Sequence, residues 1–279
     1  MTVRPRIQGS NCGDMHMPAD VLDYQIIGDD LQAVVVTLDP REAVVAEAGA
    51  MMYLEDDIEM GTQMSMTDEG GLMGKLFKAG KRVVTGESFF ITLFANTGEQ
   101  RRDCGFAAPY PGRIVPLELA DHGGEIICQK DAFLCGARGI DVDIALQKRL
   151  GVGFFGGEGF ILQRIHSDDG GLAFLHAGGS VVKRQLASGE TLRVDTGCLV
   201  AFERSVSYEV KWIKGIRNKL FGGEGLFFVL LRGPGTVWLQ TLPFSRLADR
   251  IYAAAPKLGG DRKGEGSVLG GVFDTFGGN

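Results

Sequence analysis

The sequence predicts an all-β fold: three tandem β-sandwich-like repeats around a pseudo-three-fold axis, with short helical connections and a C-terminal helix. Three observations carry this expectation. The 42 glycines among 279 residues are spread along the chain at turn positions, which favours many short strands over long helices. The strings VVTGESFFITLF, FFGGEGFILQRI and LFGGEGLFFVLL align on Glu87, Glu158 and Glu224. Finally, FITLF and LFFVLL are apolar without interruption, as strands buried on both faces are.

The alignment extends well past the acids. Each Glu follows a glycine (Gly86, Gly157, Gly223), with two apolar residues just upstream. Apolar residues then fill the positions Phe89, Phe90 and Ile91, Phe160, Ile161 and Leu162, and Leu226, Phe227 and Phe228, with a further column at Phe94, Ile165 and Leu231. A second marker lies upstream, where Glu42, Glu125 and Glu190 each open a strand-like run that ends near Gly49, Ala132 and Gly197. The order is therefore written three times: a turn with Glu, a strand, a small residue, a strand, a connection, then Gly-Glu and an apolar strand.

This register places repeat 1 at residues 19–113, repeat 2 at 114–179 and repeat 3 at 180–244, after an N-terminal segment 1–18. An opening hairpin is expected where YQII and LQAVVVTL flank Gly28-Asp29-Asp30, residues that accept tight-turn backbone angles. Residues 245–279 read as a short helix with Ser245 as its N-cap, Leu247 and Ile251 on one face, and a Gly-rich tail.

The formal charge of −6 argues against a general nucleic-acid binder, which needs a positive field to displace counterions from phosphates, while leaving room for a local basic patch. Five cysteines without close pairing suit reduced thiols in a cytoplasmic compartment. The N-terminus lacks the apolar core of a secretory signal, and no run of about 18 apolar residues offers a membrane span. The expected protein is soluble or peripheral to a membrane.

The strings GDDLQAVVVTLDPREAVVAEAGAMMYL, TGESFFITLF, FLHAGGSVVKRQLASGETLRVDTGCLVAF and LFGGEGLFFVLLRGPGTVWLQT resemble the altered-inheritance-of-mitochondria protein 24 family, over about residues 20–245. The resemblance implies units folded like the trp RNA-binding attenuation protein, triplicated around a pseudo-three-fold axis. It also implies a role in inner-membrane organisation and respiratory competence, the theme of the mitochondrial relatives. It supplies no catalytic residues, and a shared fold does not carry over a ligand.

The chemistry-bearing residues have two readings each. Gly86-Glu87, Gly157-Glu158 and Gly223-Glu224 are structural markers if the glycine permits close backbone approach and the carboxylate takes turn amides. Converging on an axis, the three acids could instead hold a cation. The four histidines lie far apart, no CxxC is present, and Cys12 with His16 is an isolated pair, so no metal site is expected. Cys128 and Cys198 read as small core residues. No GxSxG or phosphate loop occurs, and neither a cofactor nor an enzyme activity is expected.

The connections are richer. Lys75, Lys78, Lys81 and Arg82 form one acid-free basic cluster, Lys211, Lys214, Arg217 and Lys219 a second, and Lys148 with Arg149 a shorter third. Leu72 with Leu76, and Trp212 with Ile216 and Leu220, fall at helical spacing. Equivalent placement in the repeat would gather all three at one end, either against an anionic membrane surface or membrane protein, or as caps of the cores and a subunit interface. The sequence thus points to a non-catalytic, homo-oligomeric scaffold or binding protein of the cytoplasm, with peripheral attachment to the inner membrane as the further expectation. A small-ligand binder or enzyme with a carboxylate-lined pocket between repeats is the alternative.

Overall fold

A computed structural model describes residues 19–62, 91–148, 160–213 and 226–255. The fold is all-β with a single C-terminal α-helix among these residues. An opening hairpin pairs β1 (Asp23–Ile27) with β2 (Ala33–Leu38), Ile27 opposite Ala33. Its loop, residues 28–32, is longer than the tight turn expected, because it also seats the start of the second repeat. Gln32 N–H donates to Gly112 O, and Gly112 N–H to Asp30 O. Gly28 opens the loop at φ +83°, where a Cβ would run into the Leu31 carbonyl.

After β2 the first repeat continues with β3 (Ala43–Glu47), a 3₁₀ turn at Ala48–Ala50, β4 (Met51–Leu54), β5 (Ile58–Thr62), β6 (Ile91–Asn96) and β7 (Arg102–Ala107). The same sequence of elements follows as β8 (Gly112–Glu118), β9 (Glu125–Gln129), a 3₁₀ turn at Lys130–Ala132, β10 (Phe133–Ala137), β11 (Asp141–Lys148), β12 (Phe160–His166) and β13 (Leu172–Gly178). It is run again as β14 (Val181–Leu186), β15 (Thr191–Asp195), a 3₁₀ turn at Thr196–Cys198, β16 (Leu199–Glu203), β17 (Ser207–Ile213), β18 (Leu226–Arg232) and β19 (Gly235–Gln240). Helix α1 (Phe244–Ala254) comes last. It begins one residue before Ser245, which therefore lies in the first turn and not ahead of it.

Sheet order shows what the 3₁₀ turns accomplish. One six-stranded sheet runs β5-β6-β3-β10-β13-β8, and another β11-β12-β9-β16-β19-β14. Each turn therefore passes the chain from one sheet to the next, so that the middle repeat shares one sheet with the first repeat and another with the third, while the outer repeats each share a single sheet. The two junctions have the same register. Cys135, Gly136 and Ala137 lie opposite Ala46, Val45 and Val44 in the first, and Ala201, Phe202 and Glu203 opposite Cys128, Ile127 and Ile126 in the second.

Side chains lock these junctions. Asp20 accepts from Ala43 N–H at 2.9 Å and pairs with Arg138 at 2.9 Å, bridging the first and second repeats. Between the second and third, buried Gln240 accepts from Gly178 N–H and donates to the Gly197 carbonyl, both at 2.7 Å. The repeat column Phe94, Ile165 and Leu231 is wholly buried. Phe94 meets Phe106 of the facing sheet edge-on at 5.2 Å, a favoured quadrupolar geometry.

The helical expectation for the connections fails wherever it can be checked. Ile144 to Lys148 belong to β11, and Lys211, Trp212 and Ile213 pair in β17 with Phe228, Phe227 and Leu226 of β18. Backbone pairing with a distant strand overrides the four-residue spacing of Trp212 and Ile216.

His176 on β13 is buried, its Nδ1 has no hydrogen-bond partner among the described residues, and its ring packs edge-on against Tyr110 at 4.6 Å. Desolvation holds its pKa down at about 4, against a weaker opposing hydrogen bond with the Tyr110 backbone. Above pH ~6.5 both folded and unfolded chains carry the neutral ring; below it, only the unfolded chain takes up the proton until about pH 4. Stability therefore falls across that window, by about 3 kcal/mol in total from this group. Urea unfolding at pH 7 and pH 5 will show a steeper loss in the native chain than in His176→Phe.

Candidate interaction edges and a polar pocket

Strands β4, β10 and β16 occupy equivalent places, yet their surroundings differ. β10 is flanked by β3 and β13, and β16 by β9 and β19, whereas β4 pairs only with β7 among the described residues. On the complementary side, β3 and β9 each have two neighbours while, among the described residues, β15 pairs only with β18. Side-chain burial follows the pairing. Met51, Met52 and Tyr53 are between 37% and 49% exposed, and their counterparts Phe133, Leu134, Cys135, Leu199, Val200 and Ala201 are at 3% or less.

The charges at these edges also break from the pattern. Arg138 and Arg204 directly follow the positions after β10 and β16, and both make ion pairs at their junctions, Arg204 with Glu125 at 3.6 Å. The first repeat has Asp56 there, within the acidic run Glu55-Asp56-Asp57. On β15, Arg193 is exposed where Val45 and Ile127 are buried, its guanidinium 6.0 Å from the Phe228 ring.

A separate polar pocket of about 460 Å³ opens where the β8–β9 turn, the β12–β13 turn and Arg204 meet. Glu125, His166, Asp168, Asp169 and Arg204 supply its polar lining. Just behind it, Asp143 accepts from Arg164 at 2.9 Å and lies 3.1 Å from His166 Nε2. Burial opposes the charge on Asp143, but the bonds from Arg164 and His166 outweigh it and hold the carboxyl below its usual range. Glu203 is held low in the same way, burial being overcome by the Thr236 N–H and by His122 at 2.9 Å.

These pairings limit the chemistry available. The Asp143–His166 pair could move a proton, but Ser167, the next residue, is buried and its Oγ makes no hydrogen bond to His166 or to any other described residue. Burial pushes the thiols of Cys104, Cys128 and Cys135 up, Cys104 to about 12, which keeps them protonated. Cys198 ends a 3₁₀ turn and is half-buried, not a core strand residue as expected. No group of three His, Cys, Asp or Glu among the described residues is placed to hold a metal.

Gly86, Glu87, Gly157, Glu158, Gly223 and Glu224 lie outside the described residues, as do Lys75, Lys78, Lys81, Arg82, Arg149, Lys214, Arg217, Lys219, Cys12 and His16. Lys148 ends β11, and Lys211 on β17 pairs with Glu209 at 3.0 Å, two residues away on the same strand face. The second set of acids can be followed further. Glu42 and Glu190 each accept from the amide three residues back, Asp39 and Ala187, both at 2.9 Å, so each closes its own turn.

A family model described as mitochondrial biogenesis AIM24 matches residues 24–242. The chain belongs to this family. An uncharacterised protein of Streptococcus pyogenes serotype M6 is 28% identical over 223 residues, which cover 79% of this chain and 86% of that one. The crystal structure of a Streptococcus pyogenes protein superimposes with a TM-score of 0.64 at 23% identity, covering 84% of this chain and 100% of the other. That likeness speaks to the fold of this AIM24-family member.

Motif reasoning missed the two unpaired edges in this AIM24-family chain. Their signal was nevertheless present: Met51-Met52-Tyr53 in place of Phe133-Leu134-Cys135 and Leu199-Val200-Ala201, and Asp56 in place of arginine. Burial of the counterparts gives a direct check. Met52→Lys will shift the folding free energy by less than about 0.5 kcal/mol, whereas Leu134→Lys and Val200→Lys will cost more than about 4 kcal/mol by chemical denaturation.

Proposed function

We propose that this chain is a non-catalytic scaffold or binding protein that self-associates in the cytoplasm and works against an anionic inner-membrane surface or a membrane protein. One observation carries the reading: β4 presents apolar side chains and an edge that no other described strand pairs with, where both equivalent strands are buried. Exposed edges of this kind are templates for pairing with another chain. The recurring element order and the common register of two junctions support three equivalent units, the sequence expectation, although β4 and β15, which a closed pseudo-three-fold arrangement would bring together, do not pair with each other.

The membrane component draws on sequence. No helix among the described residues is long and apolar enough to cross a bilayer. Lys75, Lys78, Lys81, Arg82, Lys148, Arg149, Lys211, Lys214, Arg217 and Lys219 fall in equivalent connections, and each basic group near an anionic surface contributes about 1 kcal/mol. The family's mitochondrial biogenesis theme agrees with a place at a membrane. Net negative charge again argues against nucleic acid as partner.

A second reading, a binder of small polar molecules or an enzyme, is favoured by the pocket at Glu125, His166 and Arg204. One of its acids, Glu125, is already engaged by Arg204 at 3.6 Å, which lessens the charge it can spend on a ligand. Flotation with liposomes separates the readings. The chain is expected to rise with anionic vesicles and stay behind with neutral ones, losing the effect at high salt; equal absence of binding to both would remove the membrane component.

A further inference from the structure

The polar pocket, the buried histidine and the apolar face of α1 offer no defined occupant, but the two unpaired edges do. The chain makes one kind of strand junction twice, β3 with β10 and β9 with β16, in one register. It also carries each half of that junction once more without such a partner among the described residues: β15, the equivalent of β3 and β9, and β4, the equivalent of β10 and β16. Transferring the register places Tyr53 opposite Val194, Leu54 opposite Arg193 and Glu55 opposite Leu192.

We infer that this third junction is completed between copies, β4 of one molecule pairing antiparallel with β15 of the next. Three features favour it. The pairing gives free backbone N–H and C=O groups on both edges the partners that their counterparts already have. It covers Met51, Met52 and Tyr53, whose counterparts are buried by the same contact. The charge change is reciprocal, since Glu55-Asp56-Asp57 replaces the arginine side of the internal junctions while Arg193 appears on the opposite edge.

One edge of each kind per molecule makes the contact head-to-tail. Such an interface generates a closed ring if the rotation between copies closes and a filament if it does not. The inference rests on the self-association in the proposed function and names the surfaces that perform it.

Opposed residues of an antiparallel pair have Cα atoms about 4.5–5.5 Å apart, within disulfide reach. Because Leu54 also lies opposite Cys104 within the molecule, the test uses the full chain carrying Cys104→Ser as two single variants, Leu54→Cys and Arg193→Cys, mixed and oxidised, with each variant alone as control. A covalent dimer in the mixture, absent from either control, is the expected result. An internally bridged monomer from the Leu54→Cys/Arg193→Cys double variant, with no dimer from the mixture, would show that the chain closes its own seam and would overturn the inference.

Light scattering on the same samples distinguishes the failures. An oligomer without the cross-link leaves self-association standing and removes these edges from it; a monomer at all concentrations removes both. Independently, Arg193→Glu should weaken association by roughly tenfold or more through repulsion from Asp56, which lies diagonal to it on the same sheet face, and adding Asp56→Arg should restore it. Unchanged association in Arg193→Glu would count against the pairing.

Discussion

Every strand in this fold depends on a neighbour to satisfy its backbone, and at the junctions that neighbour comes from a different repeat. β3 and β10, and β9 and β16, are the pairs on which the rest is hung. A buried amide or carbonyl left unpaired costs about as much as a hydrogen bond is worth. A repeat taken alone would present an open edge on each of its two sheets. The unit of folding is thus larger than the unit of sequence, and the long-range pairing it needs implies slow, cooperative assembly.

The locks at the junctions differ although the strands match. Asp20 precedes the first repeat and reaches the 1–2 junction through Ala43 N–H and Arg138. Gln240 ends the third repeat's last strand and reaches back to Gly178. Main-chain pairing fixes where strands lie, and polar side chains specific to each junction fix which strands meet. Divergent sequences can therefore keep one topology, in line with the fold shared at 23% identity.

Much of this was legible in the sequence. Phe94, Ile165 and Leu231 aligned as a column and are buried as one, and Glu42 and Glu190, read as turn markers, close turns three residues long. Both signals are local: apolar spacing and a carboxylate beside its own turn. Trp212 misled because a four-residue repeat also fits a strand's alternation, and only β18, reached through a distant segment, decides between them. The pocket was illegible for a like reason, since Glu125, His166 and Arg204 meet only after three separate turns are folded. Exposure at Met52 depends on a strand that is missing beside it, and no window of neighbouring residues reports that.

The 3₁₀ turns that hand the chain from sheet to sheet also bear on how such a molecule could change length through evolution. Because each repeat splits its strands between two sheets in a fixed ratio, duplicating one whole repeat would insert a further link without altering the character of either terminus of the array. Losing part of a repeat would strand half-finished sheets in the interior. Gene-level gain or loss is therefore tolerated only in whole multiples, a quantisation imposed by the path of the backbone and not by any side chain.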